Sequence, residues 1–143
     1  MRVVVDSNEF VFALTRLSGN PSIMALQAIV GSQGAHVLLL SRTIVEEVRR
    51  HLEEEAFKDF WSLLLLAGAT PVEEWEIPDE LLERYIKRGL KRGDAAIAAL
   101  VGATGADAVL TENRDFHEHP DLPFKVYRAV DFLEVIGPPS SSR

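Results

Sequence analysis

Short apolar runs and amphipathic stretches alternate along this chain, and the alternation predicts an α/β fold. Residues 2–5 (RVVV), 36–40 (HVLLL), 107–111 (DAVLT) and 124–129 (FKVYRA) read as strands. The first two have the continuous apolar character of buried strands. Between them lie helical patterns. EFVFALTRL is expected to begin at an Asn8 cap, and SIMALQAIVGS at a Ser22 cap after the break at Gly19 to Pro21. Residues 43–53 place Ile44, Val45, Val48 and Leu52 on one face. AFKDFWSLLLLAG and DELLERYIKRGL supply two more helices, separated by GATPVEEWEIP, a break with room for a short strand. Residues 94–103 are alanine-rich and apolar nearly all round, as in a buried helix, and VDFLEVIG ends the pattern with a short one.

Strands that alternate with helices imply parallel β-α-β units. No internal repeat or linker interrupts them. The expected architecture is a three-layer α/β/α sandwich around a parallel sheet of about four or five strands. It forms one domain over residues 1–136, with a frayed tail at 137–143. With 143 residues, 47% of them hydrophobic, the chain can bury a core without staples. It has no cysteine, which excludes disulfides, zinc–thiolate sites and cysteine nucleophiles. The opening apolar run is too short for a signal peptide, and the longest one, residues 61–69, falls well below the roughly 20 residues of a spanning helix. These features lead us to expect a soluble, cytoplasmic protein.

A net charge of −7 argues against coating nucleic acid by bulk attraction. It leaves room for a nuclease, because bound cations restore positive charge locally. Acidic and amide side chains recur where the pattern would gather them. Asp6 follows the first strand, Glu47 lies early in the helix after the second, Asp94 opens the alanine-rich helix, and Asn113 and Asp115 follow the third strand. In an open parallel sheet, ligands bind beyond the carboxyl ends of the strands. A helix returning between parallel strands starts at that same edge. Carboxylates brought together there repel unless they share a cation, and an oxygen-only set selects a hard ion such as Mg²⁺ or Mn²⁺. Such a site suits phosphodiester hydrolysis by metal-activated water.

Glu46 has a competing structural role, because Thr43-x-x-Glu46 fits a capping box. Glu47 lies nearer the apolar face.

The segments DSN after the first strand, SRTIVEEV, GDAAIAAL and ADAVLTENRDF together resemble the PIN domain family, in particular its small single-domain VapC-type toxins. The resemblance runs from Arg2 to about Leu133. It implies an Mg²⁺- or Mn²⁺-dependent ribonuclease, the toxin of a toxin–antitoxin pair held inactive by a small partner protein, and a homodimer. By motif, Asp6, Glu47, Asp94 and Asp115 would be the metal-binding acids. Ser7 and Thr111 would be small hydroxyl positions beside them. Asn113 stands where many relatives have Asp, and it offers a carbonyl oxygen without charge.

Other readings stand beside these. Asp6 and Asp94 also suit helix caps, Asn113 a turn, and Asp115 an ion pair with Arg114 or Arg128. His117 and His119 form an alternating pair that reads as a solvated loop more than a metal site. Arg49, Arg50, Lys87, Arg88, Lys91, Arg92 and Arg114 are either contacts for the phosphates of a single strand, Arg92 and Arg114 foremost, or solvated helix ends. Phe10, Phe12, Phe60, Trp61 and the SLLLLAG stretch are either core or a dimer face. At the level of function, the rival is a catalytically weak or inactive PIN-like module that binds RNA or serves assembly. A phosphate-accepting signalling domain fits poorly, because Asp6 is followed by Ser7 and Asn8 and not by a second acid.

Overall fold

The computed structural model describes residues 1–15, 19–119 and 121–137. The expected tail therefore lies outside the described residues, apart from Gly137. Four strands, β1 (Arg2–Val5), β2 (Val37–Leu39), β3 (Ala108–Leu110) and β4 (Lys125–Tyr127), form one sheet in the order β2-β1-β3-β4. Every pairing is parallel. Val3, Val4 and Val5 are all buried, as are Ala108, Val109 and Leu110. Successive strand residues point to opposite faces, so unbroken burial means that helices cover both. This is the layered α/β architecture the apolar runs predicted.

Eight α-helices complete the described structure: α1 (Ser7–Thr15), α2 (Pro21–Gly31), α3 (Arg42–His51), α4 (Glu54–Ala67), α5 (Asp79–Lys87), α6 (Arg92–Thr104), α7 (Arg114–Glu118) and α8 (Ala129–Ile136). Helix α1 packs on α2, α3 and α4, and α2 packs on α8. The buried rings of Phe10 and Phe60 meet edge to face at 4.9 Å and join α1 to α4. Helices α5 and α6 form a separate pair. Gly102 allows their close approach, since a Cβ there would lie 3.3 Å from Leu81 Cδ1.

Several helix starts differ from expectation. Helix α1 begins at Ser7, so Asn8 sits inside its first turn. Asn20, with Pro21 behind it, caps α2 by accepting the Ile23 N–H, in place of Ser22. Ser41 caps α3 by accepting the Ile44 N–H. The Thr43–Glu46 capping box does not form, because Thr43 donates both its N–H and its hydroxyl to Glu74. Helix α6 starts at Arg92 with Lys91 as its N-cap, which makes Asp94 its third residue. The break before α5 holds a single parallel bridge, Ser41 to Val72, and a 3-10 turn at Glu74–Glu76. His117 lies on α7 and not in a loop.

Chain order within the sheet decides where a site can form. From β1 the chain moves outward to β2 on one side, and later segments fill β3 and β4 on the other. The direction of winding reverses between β1 and β3, and such reversals open a crevice at the strands' carboxyl ends. Asp6 ends β1 there, and Thr111 ends β3.

Candidate metal centre

Asp6 continues the sheet ladder, its N–H donating to the Leu110 carbonyl at 3.0 Å. Its carboxylate is therefore fixed by the strand. Oδ2 accepts from the buried Thr111 hydroxyl at 2.8 Å, and Oδ1 accepts from the Ser7 N–H at 2.7 Å. Ser7 Oγ donates to Glu47 Oε2 at 2.9 Å. A hydroxyl has one proton, so the longer 3.4 Å approach to Asp6 Oδ1 is not made at the same time. On the other side, Asn113 Nδ2 donates to Asp94 Oδ1 at 2.8 Å while Asn113 Oδ1 accepts the Asp115 N–H at 3.0 Å. The two bonds fix the orientation of the amide and give Asn113 a double role, as cap of α7 and as partner of Asp94.

Asp6, Ser7, Glu47, Asp94 and Asn113 line one cavity of about 250 Å³, with Ser41, Thr43 and Ile44 along its wall. Three acids from β1, α3 and α6 thus face a common space. Their charges register there. Burial raises the Asp6 carboxyl above its ordinary range, and Glu47 adds to the rise while the Thr111 and Ser7 bonds oppose it. Burial also raises Asp94, reinforced by Asp6 and Asp115 and opposed by Lys91 and Asn113. Among the described residues, no three acidic or histidine side chains stand close enough to grip one ion as placed. Hydroxyl and amide bridges join them instead. The donor chemistry nevertheless fits a hard divalent cation: every candidate ligand is a carboxylate oxygen, and a positive ion would offset the burial and the added repulsion that raise Asp6 and Asp94.

Asp115 stands apart. It does not line this cavity but an adjoining depression of about 350 Å³ that also includes Lys91, Asp94 and His119, so Asp94 is common to both. Its partner is Lys91 at 3.0 Å, not Arg114 or Arg128. Arg114 approaches Glu118 at 3.8 Å, and neither Arg114 nor Arg92 lines either space. The Nε2 atoms of His117 and His119 donate to the carbonyls of Thr111 (2.7 Å) and Arg88 (3.0 Å).

Two side chains were not anticipated. Asn8 lines the cavity, and its Oδ1 is buried without a hydrogen-bond partner. Glu9 is fully buried on α1, and neither of its oxygens meets an ordinary donor. Burial, with Glu112 next in importance, pushes its carboxyl up to about 9. Glu9 therefore keeps its proton at neutral pH, while Glu112 Oε2 accepts the Ala129 N–H at 2.9 Å. A glutamate amid Phe10, Phe12 and Ala13 is the one signal the sequence carried for this.

The comparisons agree with this architecture. The PIN domain family model matches residues 3–122, and the chain belongs to that family. No curated protein matches it. Among solved structures it is similar to a chain from "VapBC2 from Rickettsia felis bound to a DNA fragment from their promoter", at 16% identity and a TM-score of 0.61, over 90% of this chain and 98% of that one. The likeness is one of fold. No helix among the described residues is long and apolar enough to cross a membrane.

Proposed function

We propose that this chain is a divalent-metal-dependent endoribonuclease and the toxin of a toxin–antitoxin pair. One observation carries the nuclease reading: Asp6, Glu47 and Asp94, from three separate elements, face one cavity at the winding reversal of the sheet. Membership of the PIN family supports it. Fold likeness to a VapBC2 chain supports a small antitoxin partner. The exposed apolar side chains Leu65 and Leu66 on α4 are compatible with a protein partner or a second copy of the chain.

Asp6, Glu47 and Asp94 would hold Mg²⁺ or Mn²⁺ through their carboxylate oxygens. When bound, the ion supplies a water of lowered pKa and stabilises charge on the phosphate. The chain's own residues prepare the site. Thr111 and Ser7 spend their hydroxyl protons on Asp6 and Glu47, which fixes both acids, and Asn113 does the same for Asp94. No side-chain nucleophile is required. The test is cleavage of a single-stranded RNA by purified protein in Mn²⁺. Cleavage is expected to vanish in EDTA and in Asp6→Asn. Activity persisting in EDTA would refute the proposal, and salt-dependent RNA binding without cleavage would favour a binding module.

A further inference from the structure

We propose that Lys91 takes the place of a second metal ion: its ammonium holds Asp115 outside the metal cavity and presents its remaining donors to a phosphate of the bound strand, so that the site uses one divalent cation. This rests on the metal-nuclease reading above. A second ion beside the first would have to be held between Asp94 and Asp115; Glu118, the third acid that lines the adjoining depression, faces Arg114 at 3.8 Å. Asp94 and Asp115 are both already engaged. Asn113, a neutral amide, donates to Asp94 at 2.8 Å, and Lys91 reaches Asp115 at 3.0 Å. Lys91 is also the N-cap of the helix that carries Asp94 three positions later. The backbone thus sets the cation beside the acid shared by the two spaces. Asp115 and Asp94 both favour the charged form of Lys91.

An ammonium has three donors and Asp115 takes one. The others suit a phosphate oxygen, for which lysine acts as a point charge. Asp115 therefore serves as a positioning residue for Lys91 and not as a ligand of the ion. The pair is largely exposed, and exposed pairs contribute little to folding, so substitution at Lys91 is expected to leave the fold intact.

The experiment is Mn²⁺ titration by calorimetry on the full chain, its Lys91→Met and its Asp115→Asn variants, with melting temperature as the folding control. The inference expects one Mn²⁺ per wild-type chain, one in Asp115→Asn, and additional uptake in Lys91→Met, where Asp115 is released to bind beside Asp94. In EDTA, binding of an uncut oligoribonucleotide to Lys91→Met should show a slope of log affinity against log salt lower by about one. Two ions in the wild type, falling to one in Asp115→Asn, would overturn the inference while leaving the metal nuclease standing. An unchanged salt slope in Lys91→Met would also overturn it. No Mn²⁺ uptake by the wild type would overturn both readings.

Discussion

Thr111 Oγ1 donates to Asp6 Oδ2 at 2.8 Å, a bond between residues 105 positions apart that spans the point where the sheet reverses its winding. The same hydroxyl oxygen accepts the Asn113 N–H at 3.0 Å. One buried side chain therefore joins the strand-end carboxylate to the segment that holds Asp94.

Thr111→Val should cut both links. It keeps the shape and leaves Asp6 Oδ2 and the Asn113 N–H without a partner. The expected loss is about 1–3 kcal/mol of stability, with weaker Mn²⁺ binding, while Thr111→Ser restores most of both. Chemical denaturation and calorimetry check this, and a Val variant as stable as the wild type would contradict the role.

The pressure on Asp6 and Asp94 predicts how the metal acts on stability. Both carboxyls are raised in the folded chain, so without metal the folded state binds more protons than the unfolded one above the ordinary carboxylate range. Stability contributed by these groups is present at acid pH and declines as pH rises. A cation opposes their effect, because it binds the ionised form of the acids. Mn²⁺ at a hundred times its Kd should add about 2.7 kcal/mol at pH 7 and clearly less at pH 5, where protons compete for the same oxygens. Melting curves with EDTA or Mn²⁺ at the two pH values measure the difference.

Much of the fold was legible because its signal is local. VVV, LLL and AVL are runs in which every residue is apolar, and only a sheet covered on both faces needs that. The acids at strand ends and helix starts were legible for a related reason, since parallel topology fixes which edge they share. Partner choice was not. Ser41, Thr43 and Ser22 are all competent caps, and Thr43 was withdrawn from α3 by Glu74, a residue 31 positions away. Asp115 likewise found Lys91 because the starts of α6 and α7 meet, which no local pattern encodes. Glu9 remained hidden because burial of an acid is decided by the packing of whole helices.

Glu9 gives a pH dependence that a neutral variant isolates. Its folded value of about 9 lies above its ordinary value of 4.5. Between those limits the folded chain retains a proton that the unfolded chain releases, so stability falls as pH rises across the interval, by up to about 1.4 kcal/mol per pH unit for one proton. Glu9→Gln has the same shape and no proton to lose. It should be more stable than the wild type at pH 8, with a flatter stability profile from pH 5 to 9. Denaturant midpoints in EDTA at several pH values decide this, and parallel profiles for the two proteins would show that Glu9 is not the group responsible.

Asn113→Asp tests the amide that joins Asp94 to the Asp115 backbone. The cap of α7 should survive, because a carboxylate oxygen accepts the Asp115 N–H as readily as an amide oxygen does. The donor to Asp94 is lost, however, and a like charge replaces it about a hydrogen-bond length away. Without metal the variant should lose about 1–3 kcal/mol and raise Asp94 further. With Mn²⁺ the sign turns, since the added carboxylate becomes a ligand or a near neighbour of the ion. The gain in melting temperature on adding Mn²⁺ should therefore exceed that of the wild type. If both proteins gain equally, Asn113 lies outside the field of the ion, and its bond to Asp94 is structural alone.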